Sequence, residues 1–171
     1  MSSYQLKTSL PTSSGDVSSS QSQTPVHVSL SSSNDLLASV WQSGRVSLWS
    51  LNTRIGPGKE KVMDPTLIWT ADLHDGEKFW RQVSVSDLTE GGKRTVRVTL
   101  LGSEGGSDHV TVHEIPIADT SGEKGECFSV KMPGANGRLT ASYNHLPPIW
   151  QDFNGELFEG RVTLELVNSC F

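Results

Sequence analysis

The chain has 171 residues, 35% of them apolar, and its formal net charge at pH 7 is −5. This length fits one ordinary domain, and the apolar content is enough for a packed core. No apolar run approaches the roughly 18 residues of a membrane-spanning helix, and an acidic chain has no overall attraction for phosphate backbones or anionic lipid. We therefore expect no integral membrane protein.

The N-terminal residues and the cysteines indicate the compartment. The first ten residues lack the basic and apolar segments of a signal peptide, and the chain has no Asn-x-Ser/Thr glycosylation acceptor. Cys127 and Cys170 form no close pair, which is typical of reduced thiols rather than a disulfide scaffold or a zinc site. These features predict a cytoplasmic protein, with the nucleus as the alternative.

Residues 1–23 are predicted to hold an N-terminal strand and a serine-rich flexible loop. Thirteen of the first 33 residues are serine, and residues 9–23 contain almost nothing apolar. Such a segment buries too little surface to offset its ordering entropy. We favour a solvated spacer over a segment that functions through phosphorylation of its serines.

From Thr24 onward, short segments alternate between apolar and polar residues. In Thr95–Leu101, for example, Val96, Val98 and Leu100 share one face, and this two-residue period predicts a half-buried strand. No window of 11 or more residues has a convincing helical period, so the predicted fold is all-β. The same pattern predicts further strands at Pro25–Leu30, Asp35–Trp41, Arg45–Leu51, Gln82–Ser86, Asp108–His113, Glu126–Met132 and Arg161–Val167.

Turn-forming dipeptides separate these strands and predict antiparallel hairpins. They favour the positive φ angles of tight turns. Pro65 is expected between strands, where its missing N–H costs no ladder hydrogen bond. The dipeptides are Ser43-Gly44, Gly91-Gly92, Gly105-Gly106, Asn136-Gly137 and Asn154-Gly155.

The strand order predicts a partial, WD40-like β-propeller of about three antiparallel blades, at about 24–73, 79–133 and 138–171. In the first blade, Thr66–Thr70 is the expected outer strand and Asn52–Asp64 an inserted loop. The third blade begins near Leu139–Tyr143 and includes Gly155–Phe158. Closed propellers have at least four blades, so we expect an unclosed, truncated portion whose exposed strand edges promote aggregation.

Several segments, in their order along the chain, resemble one protein family. They are similar to segments of the largest subunit of the Elongator complex, in a fungal form, although Ser50 replaces the aspartate that often follows tryptophan in such repeats. The segments are Tyr4-Gln5-Leu6, Pro25-Val-His-Val28, Ser33-Asn-Asp-Leu-Leu-Ala38, Gly44-Arg-Val-Ser-Leu-Trp49, Trp80-Arg-Gln82 and Gln151-Asp-Phe-Asn-Gly-Glu-Leu-Phe158.

The resemblance implies a non-catalytic scaffold that supports modification of wobble uridines in tRNA. That subunit has two N-terminal propellers and a helical-repeat region, and this chain is similar to the opening half of the second propeller. The chemistry of the complex belongs to another subunit. The implied partners are other Elongator subunits, with tRNA reached only through the full complex, and no membrane or small-molecule substrate is implied.

Few residues are candidates for catalysis or metal binding, and we expect no catalytic, cofactor or metal site. His109 and His113 lie four residues apart, which on a strand is about 13 Å, too far to share one ion. We expect both to be surface histidines. Asp72, Asp75 and Glu77 crowd one loop with His74, but their spacing matches no calcium or zinc motif, and a solvated acidic loop is favoured over a small hydrolase's acid/base site.

The basic and aromatic residues allow two further interpretations. Lys93-Arg94 with Arg97, and Lys59 with Lys61, could contact RNA, but solvated loop ends are favoured. The five tryptophans favour core packing over the sugar stacking of a carbohydrate-binding β-sandwich. A generic WD40-like interaction module stays the other alternative to the Elongator scaffold.

Overall fold

The computed structural model describes residues 24–59, 61–73, 78–90, 93–117, 126–132, 134–140, 149–151 and 157–158. These residues form eleven strands in three antiparallel sheets, and among them there is no helix. No helix in this part of the chain could therefore cross a membrane. The predicted all-β, antiparallel and unclosed fold is confirmed.

The first sheet is a meander of four strands in sequence order, each antiparallel to the next. Its strands are β1 (Pro25–Leu30), β2 (Leu36–Trp41), β3 (Arg45–Ile55) and β4 (Lys61–Asp72). The strands β1 to β3 begin within one residue of their predicted starts.

The second sheet repeats this arrangement. Its strands are β5 (Phe79–Glu90), β6 (Lys93–Glu104), β7 (Ser107–Pro116) and β8 (Glu126–Lys131). The third sheet is small, with β10 between its two partners. Its strands are β9 (Arg138–Thr140), β10 (Ile149–Gln151) and β11 (Leu157–Phe158).

The predicted loop at Asn52–Asp64 is wrong, because β3 and β4 continue as a paired ribbon to Ile55 and Lys61. Residues 52–55 are exposed, so this stretch has no buried face to impose an alternating pattern. Pro65 also lies within β4, opposite Leu51, rather than between strands. A proline is tolerated there because β4 is the edge strand of its sheet.

The turns follow the sequence at two of the predicted sites. Gly44 has a φ of 83°, and Gly105 and Gly106 have φ of 55° and 80°. Asn136 also has a positive φ of 60°, but the predicted hairpin at Asn136-Gly137 is wrong. This dipeptide lies on the connection from β8 to β9, which belong to different sheets. Gly91-Gly92, Asn154-Gly155 and Arg161–Val167 lie outside the described residues.

The first and second sheets pack face to face, with β5 against β1 and β2. The backbone N–H of Val83 on β5 donates to Nδ1 of His27 on β1 at 3.4 Å. Between the sheets lies the main core, in which Trp69, Leu73 and Ile117 pack at the margin. The buried residues of this core are Leu36, Ala38, Val40, Val46, Leu48, Trp80, Val83, Val85, Val96, Val98, Leu100 and Ile115.

The opposite face of the second sheet is covered by the start of the third. Leu101 and Val110 are buried there, and Leu139 of β9 packs against them. The N–H of Leu139 donates to Oε1 of Gln82 at 2.9 Å. The second sheet therefore has a neighbouring sheet on each face.

Candidate interaction surfaces

A polar cluster around Arg94 joins the first two sheets at one end of the stack. Arg94, on β6, places Nη2 2.6 Å from Asp35 Oδ2 and 2.5 Å from Asp87 Oδ2. Asp35 lies in the turn between β1 and β2, whereas Asp87 lies on β5. One guanidinium thus pairs with carboxylates of both sheets, and its hydrogen bond to Asp87 is the main effect that raises the pKa of Arg94.

The Asp35 carboxylate has further hydrogen-bond donors in its own turn. Partial burial acts to raise the pKa of Asp35, but hydrogen bonds from Ser33, Arg94 and Ser31 lower it to about 2. The Oγ of Ser31 lies 2.9 Å from Asp35 Oδ1 and also accepts the N–H of Leu36 at 3.1 Å. This carboxylate is ionised at neutral pH and serves as a fixed acceptor rather than as a general acid.

The prediction of solvated loop ends is wrong for Arg94 and Arg97, both of which lie on β6. Arg97 pairs with Glu114 of β7, with Nη2 2.5 Å from Oε1. Both guanidinium groups thus pair with carboxylates of neighbouring elements of the fold. Lys59 and Lys61 are exposed at the β3–β4 turn, as predicted.

Asp108 has a buried carboxylate that connects two sheets, and the sequence analysis did not identify it. Its side chain is fully buried, and Oδ2 lies 2.7 Å from Nη2 of Arg81. The carboxylate also accepts the N–H groups of Asn136 and Gly137, at 3.2 and 2.8 Å. Asp108 therefore holds the segment that crosses from the second sheet to the third.

The two histidines of β7 have different surroundings. His109 Nε2 is 3.0 Å from Glu104 Oε2, and desolvation lowers the pKa of His109 despite this carboxylate. His113 is only 9% exposed, so the prediction of a surface histidine is wrong for it. Its ring centroid lies 5.2 Å from that of Trp69, and burial lowers its pKa. No group of three metal-ligating side chains occurs among the described residues.

The acidic loop of the hydrolase alternative is only partly described. Asp72 ends β4 and is exposed, whereas residues 74–77, which include His74, Asp75 and Glu77, lie outside the described residues.

Three tryptophans are buried or packed against the main core, as the core interpretation predicts. Trp80 is 9% exposed in the main core, where its Nε1 donates to the carbonyl of Leu73 at 3.1 Å. Trp49 is 5% exposed, and Trp69 packs at the margin of the main core. Trp41 is partly exposed. The side chain of Trp150 is outside the described part of the chain.

Cys127 is disulfide-bonded, so the interpretation of this cysteine as a reduced thiol is wrong. Its Sγ lies 3.9 Å from Nε2 of His113. Cys170 is outside the described residues. The cysteines therefore no longer support the prediction of a reducing compartment.

The face of the first sheet that points away from the second sheet is apolar, and we call it the outer face. Val28 and Leu30 of β1 are each 52% exposed and lie opposite Ser39 and Leu37 of β2. Leu67 of β4 is 41% exposed and is paired with Trp49. The residues of the outer face are Val28, Leu30, Leu37, Ser39, Trp41, Ser47, Trp49 and Leu67.

Comparisons with models of protein families, with curated proteins and with solved structures found no match for this chain.

Proposed function

We propose that this chain is a non-catalytic interaction scaffold built from stacked propeller-type sheets. The observation that carries the proposal is that the second sheet is covered on both faces by its neighbours. Stacked sheets bury a shared core and leave their connecting loops at two rims for partner proteins. Among the described residues, the buried ionisable groups have structural contacts: Asp108 pairs with Arg81, and His113 packs against Trp69.

The family resemblance extends the proposal to the Elongator complex. In this proposal the chain is a segment of the largest subunit, its partners are other Elongator subunits, and tRNA contacts only the full complex. The protein acts in the cytoplasm, or in the nucleus, and supports wobble-uridine modification without binding a small-molecule substrate. Burial of Trp49 and Trp80 speaks against the sugar-binding alternative, which needs exposed rings.

Affinity capture of the natural full-length protein that carries this sequence tests the proposal. We expect other Elongator subunits to co-purify with it. The variant Val98→Asp places a charge at a fully buried core position and should abolish their recovery. The variant Thr53→Asp adds the same charge at an exposed position and should leave recovery unchanged. Capture that recovers no Elongator subunit with the unmodified protein would remove the assignment to this complex.

A further inference from the structure

We propose that two copies of this chain associate through the edge of β1, which pairs with β1 of the other copy as antiparallel strands related by a two-fold axis. This proposal concerns self-association and does not rest on the Elongator assignment.

The first argument is the direction of the main-chain groups of β1. This strand ends the order of the first sheet, and none of the described strands pairs with its open edge. The N–H of Ser31 donates to the carbonyl of Leu36 at 3.0 Å, so the main chain at Ser31 points toward β2. Main-chain groups of successive residues point to opposite edges of a strand. Those of Leu30 and Val28 therefore point to the open edge, where a further strand could bind them.

The second argument is that β1 lacks charged residues. Natural proteins protect edge strands from pairing with another chain by charged side chains or prolines. No Lys, Arg, Asp or Glu occurs in β1, which runs from Pro25 to Leu30. The other edge strands of the two larger sheets carry charges: Lys61, Asp64 and Asp72 on β4, Arg81, Asp87 and Glu90 on β5, and Glu126 and Lys131 on β8.

The opposite edge of the first sheet is also interrupted by a proline. The N–H of Leu51 donates to the carbonyl of Asp35 at 2.7 Å, on the side of β3 that faces β2. Leu51 lies opposite Pro65, so the main-chain groups of this pair point away from each other. The nitrogen of Pro65 therefore faces the open edge of β4, where it has no hydrogen to donate to another strand. The edge of β1 has no such interruption between Val28 and Leu30.

The third argument is that the exposed side chains of β1 fit a second copy of the same strand. A two-fold axis at Val28 places this residue opposite itself, and Leu30 opposite Val26 of the other copy. These side chains are 52%, 52% and 43% exposed, and Val26 lies at the bulge of β1. Residues directly opposite each other share a face, so the pairing buries aliphatic groups of both copies and opposes no like charges. Each copy uses this edge once, so association stops at the dimer.

The other side of β1 is already fixed by the second sheet. Nδ1 of His27 accepts the N–H of Val83 on β5, and β5 packs against β1. The open edge is thus held in an extended conformation before a partner binds. This preorganisation lowers the entropy cost of adding a strand.

Sedimentation velocity of the full chain over a dilution series tests the proposal. A pair of six-residue strands is a small interface, so we expect a reversible dimer of about twice 18.6 kDa that dissociates in the micromolar range. Val28→Lys and Val28→Glu should each weaken the dimer at least about tenfold, because like charges then meet at the axis. An equimolar mixture of the two variants should restore it.

The matched control is Met63→Lys, which adds the same charge at a 44% exposed aliphatic side chain of the opposite edge strand. It should leave the dimer unchanged. An unmodified chain that stays monomeric at every concentration would overturn the proposal. Equal weakening by Val28→Lys and Met63→Lys, or a mixture of folded Val28 variants that stays monomeric, would do the same.

Hydrogen exchange of the unmodified chain tests the same contact without any substitution. The amides of Val28 and Leu30 should exchange severalfold more slowly in the dimer than after dilution, because their N–H groups then lose their partners. Exchange rates of these two amides that do not depend on concentration would refute pairing through β1, even if a Val28 variant failed to fold.

Discussion

Arg94 joins two sheets through a single side chain, because its guanidinium pairs with Asp35 of the first sheet's turn and Asp87 of the second sheet. Those partners are 59 and 7 residues away in sequence. A pair separated by 59 residues has no local sequence signal, so the basic residues of β6 could be predicted as charged but not as paired.

Replacing Arg94 with methionine should lower the free energy of unfolding by about 1–2 kcal/mol, since it leaves two carboxylates without their shared cation. Urea unfolding followed by tryptophan fluorescence measures this loss. The control Arg54→Met breaks a 3.7 Å pair with Asp64 whose side chains are 69% and 57% exposed, and should cost less than about 0.5 kcal/mol. Equal losses in the two variants would contradict the bridging role of Arg94.

His113 makes stability depend on pH, because burial lowers its pKa below the ordinary value of 6.5. Between the lowered pKa and 6.5 the unfolded chain binds more protons than the folded chain. The contribution of His113 is therefore complete above about pH 6.5 and is lost as the pH falls below that value. Urea midpoints measured from about pH 7.5 to 5 should fall more steeply for the unmodified chain than for His113→Gln. Parallel curves would show that His113 titrates as it does in the unfolded chain.

At the scale of single elements, strand positions were predictable wherever one face is buried. On β6, for example, Val96, Val98 and Leu100 are buried on one face, and the alternating sequence marks the strand. The outer part of the β3–β4 ribbon was missed because its residues are exposed on both faces. The three-residue strand β10 was missed because it is too short to show a period.

The connection from β8 to β9 depends on Asp108, and Asp108→Asn should cost about 2–3 kcal/mol of unfolding free energy. The substitution removes the charge that faces Arg81 and one of the acceptors for Asn136 and Gly137. Hydrogen exchange should show faster exchange of those two backbone amides. Asp64→Asn, at an exposed ion pair, is the control and should change neither quantity measurably. Unchanged exchange at both amides in Asp108→Asn would refute the anchoring role.

Gly102 on β6 lies close to the bulge of β5, and Gly102→Ala should destabilise the fold by about 1–3 kcal/mol. An added Cβ would lie 2.8 Å from Cε3 of Trp80 and 3.0 Å from the carbonyl oxygen of Phe79. We expect the emission of Trp80 to shift as its ring moves. Gly106→Ala meets no atom within 4 Å and bears only the strain of its φ of 80°, so it should leave the emission unchanged. A Gly102→Ala chain with native stability and emission would contradict the close contact.

At the scale of the whole molecule, the class of fold was predictable from the sequence and the stacking partners were not. Period-two alternation and turn residues indicate antiparallel strands but do not say which sheet faces which. The contact of His27 with Val83 joins residues 56 positions apart, and that of Gln82 with Leu139 joins residues 57 apart. Such distant pairs leave no local pattern. The ring geometry of a propeller stays a prediction.

Methyl NOE spectroscopy tests the stacked arrangement most directly. In a methyl-labelled chain we expect cross-peaks between the core methyl groups of β2 and those of β5, such as Val40 and Val85. We also expect cross-peaks between Leu101 of the second sheet and Leu139 of the third. Both sets of cross-peaks together would place the second sheet between its two neighbours. Their absence in a chain whose NOEs within each sheet are intact would contradict the stack and the scaffold function proposed from it.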